Sequence, residues 1–140
     1  MINLPESLHQ NLKFHHTGVL VTDLPESMKN YAFLLGEKAV SEIQDIENQQ
    51  ILVSFVEVAP NVFIELIQPK NGNTNFDKFF KKGINFYHIG FLSNDFDAIS
   101  SKLLEQDFRL INTFTSAAFD NKRCSFFMSN ELHIIEIIES

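Results

Sequence analysis

Apolar and polar positions alternate in short runs along this chain, and three stretches of helical spacing stand between them. Residues 14–21 alternate and are rich in Val and Leu, which predicts a strand. Thr22-Asp23-Leu24-Pro25-Glu26 is a helix start: Asp23 can cap, Pro25 falls in the first turn, and Glu26 completes a capping box. Leu24, Met28, Ala32 and Leu35 then share one helical face, and Gly36 is a natural stop. Strands are expected over 38–43, 50–58 and 62–68, with Pro60-Asn61 turning the chain between the last two. After a loop over 69–73, residues 74–82 have the spacing of a short linking helix, with Thr74 as its cap and Phe76, Phe79 and Phe80 on one side. Lys78, Lys81 and Lys82 around that face read as a solvated surface. The plan then starts again: a strand over 85–92, a helix over 95–105 with Phe96, Ile99 and Leu103 on one side, and strands over 108–114, 123–128 and 132–138.

This second set is a copy of the first. Phe14-His15-His16-Thr17-Gly18-Val19-Leu20 is echoed 72 positions later by Phe86-Tyr87-His88-Ile89-Gly90-Phe91-Leu92. Phe63-Ile64-Glu65-Leu66-Ile67 is echoed 71 positions later by Ile134-Ile135-Glu136-Ile137-Ile138. Ser54-Phe55 and Ser125-Phe126 match at the same offset. The repeat predicts an α+β chain of two tandem βαβββ modules. We expect a polar lead-in over 1–13 and one domain over 14–140. That domain divides into module one at 14–69, the linking helix at 74–82 and module two at 85–140.

Length and composition narrow the function. A chain of 140 residues, 44% hydrophobic, is one domain's worth and can bury a core. Fifteen Phe and no Trp suggest a Phe-lined interior. A formal net charge of -7 argues against a nucleic-acid partner, which needs a basic face. The single Cys124 excludes an intramolecular disulfide and a cysteine zinc site, and fits a reducing compartment. The first residues have neither a basic start nor an apolar run, and no stretch approaches the roughly 18 apolar residues of a membrane helix. The expectation is a cytoplasmic protein acting on a small molecule, away from membranes; a homodimer is compatible with it.

Each copy carries one His and one Glu inside an apolar strand. By alternation His16 shares its face with Phe14, Gly18 and Leu20, and His88 with Phe86, Gly90 and Leu92. Glu65 goes with Phe63 and Ile67, and Glu136 with Ile134 and Ile138. A lone strand His is usually a hydrogen-bonded core residue, and a lone carboxylate is costly to bury unpaired. Recurrence at one spacing changes the weighing. If the modules pair about a pseudo-twofold axis, His16, Glu65, His88 and Glu136 meet at one point and can hold one divalent ion. Two imidazoles and two carboxylates suit Zn, Ni, Co, Mn or Fe. His15 and His133 point by parity to the opposite face, have no His mate in the other module and carry no such expectation; His9 lies in the lead-in. Val53 and Cys124 occupy equivalent third-strand positions and are expected to face the cavity with Ile51, Phe55 and Phe126. Cys124 reads as a small wall residue, with no basic partner to make it a nucleophile.

On these motifs the chain resembles the vicinal oxygen chelate superfamily, also called the glyoxalase/bleomycin-resistance/dioxygenase superfamily, over about residues 14–140. It is most similar to methylmalonyl-CoA epimerase-like members, through His16-Thr17-Gly18, Ile64-Glu65-Leu66, His88-Ile89-Gly90, Ile135-Glu136-Ile137 and the stretch Asn121-Lys122-Arg123-Cys124-Ser125-Phe126. The resemblance implies a cup-shaped mixed β-sheet with helices outside, and a divalent metal at His16, Glu65, His88 and Glu136. It implies a metal-dependent lyase or isomerase that takes a proton from beside a carbonyl of a small thioester or 2-oxo compound, with Glu136 or Glu65 as base. A lactoylglutathione lyase-like activity and a non-catalytic binding or resistance protein of the same fold are the alternatives. A ring-cleaving dioxygenase fits less well, since such iron sites use two His and one carboxylate. Two positions depart from the epimerases: Val53 stands where they carry a further carboxylate, and Phe119-Asp120-Asn121 replaces their Gly-Gly.

Overall fold

The computed structural model describes residues 4–140. Its strands are β1 (Leu12–Leu20), β2 (Gln44–Ile46), β3 (Ile51–Ala59), β4 (Val62–Pro69), β5 (Phe86–Ser93), β6 (Arg109–Ser116), β7 (Lys122–Met128) and β8 (Ile134–Glu139). The helices are α1 (Leu24–Leu35), α2 (Asp77–Lys81) and α3 (Phe96–Glu105). One mixed sheet runs in the order β2-β3-β4-β1-β5-β8-β7-β6, so each copy of the repeat forms four adjacent strands. Within each copy the first and fourth strands are parallel, β1 with β4 and β5 with β8. The copies join through β1 and β5, which are antiparallel. The sheet curls until its far ends touch: Asn48, between β2 and β3, donates its side-chain N–H to the Thr115 carbonyl of β6 at 2.8 Å.

Local signals explain most of these elements. Asp23 Oδ1 accepts from Glu26 N at 3.1 Å, which contributes about 1 kcal/mol as a helix cap. Asp95 repeats the cap on Ala98 N. Phe96, Ile99 and Leu103 bury against Phe127 and Ile137; a fully buried apolar side chain of this size contributes about 1.5–3 kcal/mol. Arg123 braces this corner. Its guanidinium lies 4.6 Å over the Phe96 ring and reaches Asp97 Oδ1 at 3.1 Å and Glu139 Oε2 at 2.8 Å, clamping α3 to β7 and β8.

The structure corrects several expectations. The strand expected over 38–43 lies instead at Gln44–Ile46. Residues 37–39 form a 3-10 turn after Gly36, whose φ is +95°. The Ser41 hydroxyl takes the Phe55 N–H at 2.8 Å, so a side chain occupies a ladder position beside β3. Val40 makes one isolated bridge to Val56, and the continuous ladder runs from Gln44 opposite Val53 to the fully buried Ile46 opposite Ile51. Leu35 is 46% exposed; α1 packs through Leu24, Met28 and Tyr31 onto Val56 and Leu66. Thr74 does not cap α2 with its side chain. Asn73 organises that turn, accepting from Asn75 N at 3.0 Å and donating to the Gln50 carbonyl at 2.9 Å. The lead-in is shorter than expected, because Leu12 and Lys13 belong to β1, and Leu8 packs against the α3 core.

Candidate metal centre

The seam between the two copies builds the site. Across β1 and β5, His16 faces Gly90 and Gly18 faces His88. On the outer sides of the same two strands, Gly18 faces Glu65 of β4 and Gly90 faces Glu136 of β8. Two rows therefore cross the seam: Glu65-Gly18-His88 and His16-Gly90-Glu136. Each row has a glycine at its centre. A Cβ on Gly18 would run into the His88 ring, and one on Gly90 into the His16 ring, so the Gly of each His-x-Gly motif makes room for the other copy's imidazole.

The four functional groups converge. His16 Nε2 and His88 Nε2 are 2.8 Å apart. Glu65 Oε1 lies 3.3 Å from His16 Nε2 and 3.4 Å from His88 Nε2. Glu136 Oε1 lies 3.1 Å and 3.2 Å from the same two nitrogens. All four ligand atoms fall within 4.8 Å of one another, and all four residues are buried. Ligand atoms each bound at about 2.0–2.2 Å to one ion are themselves roughly 2.8–3.6 Å apart, whether tetrahedral or octahedral. The spacing thus matches the edges of a coordination shell, and these residues fit a divalent ion. Burying two carboxylates costs several kcal/mol per charge unless it is compensated. Among the described residues Glu136 Oε1 has no hydrogen-bond partner despite its closeness to both imidazoles, which is what a ligand oxygen aimed at an ion would show.

The metal-free cluster is strongly polarised. Burial works against a charged His16, but Glu136 and Glu65 outweigh it and raise its pKa to about 9. His88 is raised for the same reason. Burial would raise both carboxyls, yet the two imidazoles outweigh it and hold Glu65 and Glu136 well below the usual carboxylate range.

The cluster forms one wall of a cavity of about 610 Å³. Glu65, His88 and Glu136 line it with Ile51, Phe76, Tyr87, Phe114 and Phe126; Asn48, Gln50, Asn75 and Asn112 bring amides to it. Phe119 also lines it and stacks on the His16 ring at 5.7 Å and 23°. No Lys or Arg is among the lining residues.

His15 overturns its expected placement. It does not face away: its Nδ1 is 2.9 Å from His16 Nδ1. The register of β1 on β5 shifts between Phe14 and His16, so His15 is an extra residue that turns toward the same side as His16. A second shift, between Gly18 and Val19 of β1, leaves Tyr87 as the extra residue on β5. Tyr87 stands 72 positions after His15, so the repeat offset points to it, but alternation hides both bulges. Val53 and Cys124 are fully buried and do not line the cavity. Val53 packs with Leu20, Ile46, Ile51, Ile67 and Phe76. Burial pushes the Cys124 thiol up, which keeps it protonated. Sequence reading also missed Asn48 and Phe119; nothing in the local pattern sets them apart from other loop residues. Asp120 and Asn121, in place of Gly-Gly, both take positive φ, 54° and 58°, a region these two residue types tolerate.

The model of the glyoxalase/bleomycin resistance protein/dioxygenase superfamily matches residues 15–126. The chain belongs to this superfamily. An uncharacterized Bacillus subtilis (strain 168) protein, YqjC, is 27% identical over 130 residues, which is 91% of each chain. Similar solved structures include methylmalonyl-CoA epimerase from Mycobacterium tuberculosis, with TM-score 0.78 and 24% identity over 98% of this chain and 92% of that one. A Streptomyces coelicolor methylmalonyl-CoA epimerase variant, solved with 2-nitronate-propionyl-CoA, has TM-score 0.75 and 18% identity over 93% and 95%. At these identities the superfamily structures share the fold with this chain. The superfamily includes enzymes such as these epimerases. In this member no helix among the described residues is long and apolar enough to cross a membrane.

Proposed function

We propose that this protein is a metal-dependent lyase or isomerase that takes a proton from the carbon beside a carbonyl group in a small thioester or 2-oxo compound. The observation that carries the reading is the convergence of two imidazoles and two carboxylates on one point in the wall of a 610 Å³ cavity. His16, Glu65, His88 and Glu136 would hold one divalent ion. When bound, the ion would supply a Lewis acid for a substrate carbonyl oxygen.

The chain's own groups do the rest. Glu136 and Glu65 both reach the cavity and are its two carboxylate bases. Both lie 3.1–3.4 Å from the same two imidazole nitrogens and are equally placed for this role. A general base must come within about 2.6–3.2 Å of the proton it takes, and either carboxylate can do so only for a substrate lodged against the imidazoles. Phe76, Phe114, Phe119 and Phe126 exclude water around that point, and the amides of Asn48, Gln50 and Asn112 can bind uncharged polar groups. Outside the cluster, Tyr87 is the one ionisable lining residue; burial raises its pKa, so it stays a neutral phenol that can hydrogen-bond to a substrate but neither takes a proton nor readily gives one up. Proton chemistry would therefore run on one face of the substrate.

Metal analysis of the purified protein comes first, followed by a screen of carbonyl compounds for hydrogen exchange in heavy water. Metal-stimulated exchange that Glu136→Gln abolishes supports the reading. A protein that binds no divalent ion with any affinity sinks it.

A further inference from the structure

An imidazole that binds an ion through one ring nitrogen carries its proton on the other, and that N–H needs an acceptor to fix the ring. His16 presents Nε2 to the cluster, with His88, Glu136 and Glu65 within 2.8–3.3 Å of it. Its Nδ1 points the other way and lies 2.9 Å from His15 Nδ1. Two ring nitrogens at that distance share one proton. With His16 as donor, His15 must accept through Nδ1 and keep its own proton on Nε2.

The fold builds this contact deliberately. Adjacent residues of a flat strand point to opposite faces, and only the bulge at His15 brings the two rings to one side. Three aromatics hold the His15 ring: Phe63 at 4.9 Å, Phe119 at 5.6 Å and Phe55 at 6.1 Å. The other copy is a natural control. Tyr87 occupies the same bulge and packs edge-on against His88 at 4.9 Å, but His88 Nδ1 has no hydrogen-bond partner among the described residues. One ligand imidazole is thus oriented by a hydrogen bond and its mate by packing alone.

We propose that His15 is a positioning residue for the centre: by accepting the His16 Nδ1–H it sets the tautomer and ring plane with which His16 Nε2 meets the ion. This rests on the reading of His16, Glu65, His88 and Glu136 as metal ligands. His15 does not touch the ion or the substrate.

Full-length protein labelled with nitrogen-15 tests this. In the zinc-loaded form, a scalar coupling between His15 Nδ1 and His16 Nδ1 across the hydrogen bond is expected. Zinc affinity, read by competition with a chromophoric chelator, should fall 10–100-fold in His15→Phe, which keeps a ring among the aromatics but offers no acceptor. His15→Asn, whose amide oxygen can take the acceptor position, should recover to within a few-fold of the parent. Absence of the coupling in the loaded parent, or a His15→Phe affinity within twofold of it, overturns the proposal. If His15→Phe fails to fold, the coupling and the Asn variant decide. A parent that takes up no zinc sinks the metal reading instead; the coupling in that metal-free protein still shows whether His15 holds His16.

Discussion

His16 lies directly opposite Gly90 across the seam of the sheet, and the imidazole fills the space where a side chain on Gly90 would begin. The mirrored pair, His88 and Gly18, is built in the same way. Gly90→Ala and Gly18→Ala should each displace the opposing ring and destabilise the fold by about 1–3 kcal/mol, the usual range for overpacking a close contact. Urea denaturation reads the stability, and zinc titration should show weakened binding in both variants. Unchanged binding in either would mean that the rings can shift without leaving the centre.

The four proposed ligands should not be equal to their neighbours. His88→Ala and Glu136→Ala remove a donor each, and both should cost far more metal affinity than the 10–100-fold expected at His15. Metal content per chain after dialysis against a weak chelator makes the comparison. Parent-like retention in His88→Ala would remove that residue from the ligand set.

Metal uptake should release protons at pH 7. His16 is raised to about 9 in the metal-free protein, so it is mostly charged there, whereas a ligand imidazole must be neutral. The same shift sets the stability of the metal-free fold. The His16 contribution is complete below about pH 6.5 and is lost as pH rises through about 9. Apparent metal affinity should therefore climb with pH up to about 9, and titration calorimetry in buffers of different ionisation enthalpy counts the protons. An uptake at pH 7 with no proton release would show that His16 is already neutral.

Inversion of a carbon centre needs a base on one face and a donor on the other. Val53 is buried away from the cavity, Cys124 is sealed and protonated, and Glu57 is exposed on the far part of β3. With each enantiomer of methylmalonyl-CoA and metal-loaded protein in heavy water, we expect at most exchange with retention. Rapid inversion of both enantiomers, with deuterium in each product, would reveal a second base, and Tyr87 would be the first residue to replace.

The sequence repeat made the paired strands and the four-residue constellation legible, because offset and alternation survive in His16, Glu65, His88 and Glu136. Alternation fails where the strand itself is irregular. His15 and Tyr87 sit in bulges, and a one-residue insertion in a ladder leaves no mark in the pattern of apolar positions. Residues 38–43 have a strand-like composition, yet the Ser41 hydroxyl takes a backbone partner and the ladder begins later, at Gln44. Val53 has the right parity for the cavity; its burial depends on Phe76, which arrives from the linker after β4. Long-range packing of this kind is not written in any local window.

The order of strands has a consequence for synthesis. During translation the first copy can assemble β1 against β4 as soon as it emerges, but the opposite side of β1 stays open until β5 has been made. An unpaired edge is a template for other chains, and incomplete folds of this kind are where nascent proteins associate wrongly. Glu136 is supplied within the last strand, β8. The nascent chain would therefore hold His16 and Glu65 beside an exposed edge from the completion of β4 until β5 is made, and the centre can close only once β8 has followed.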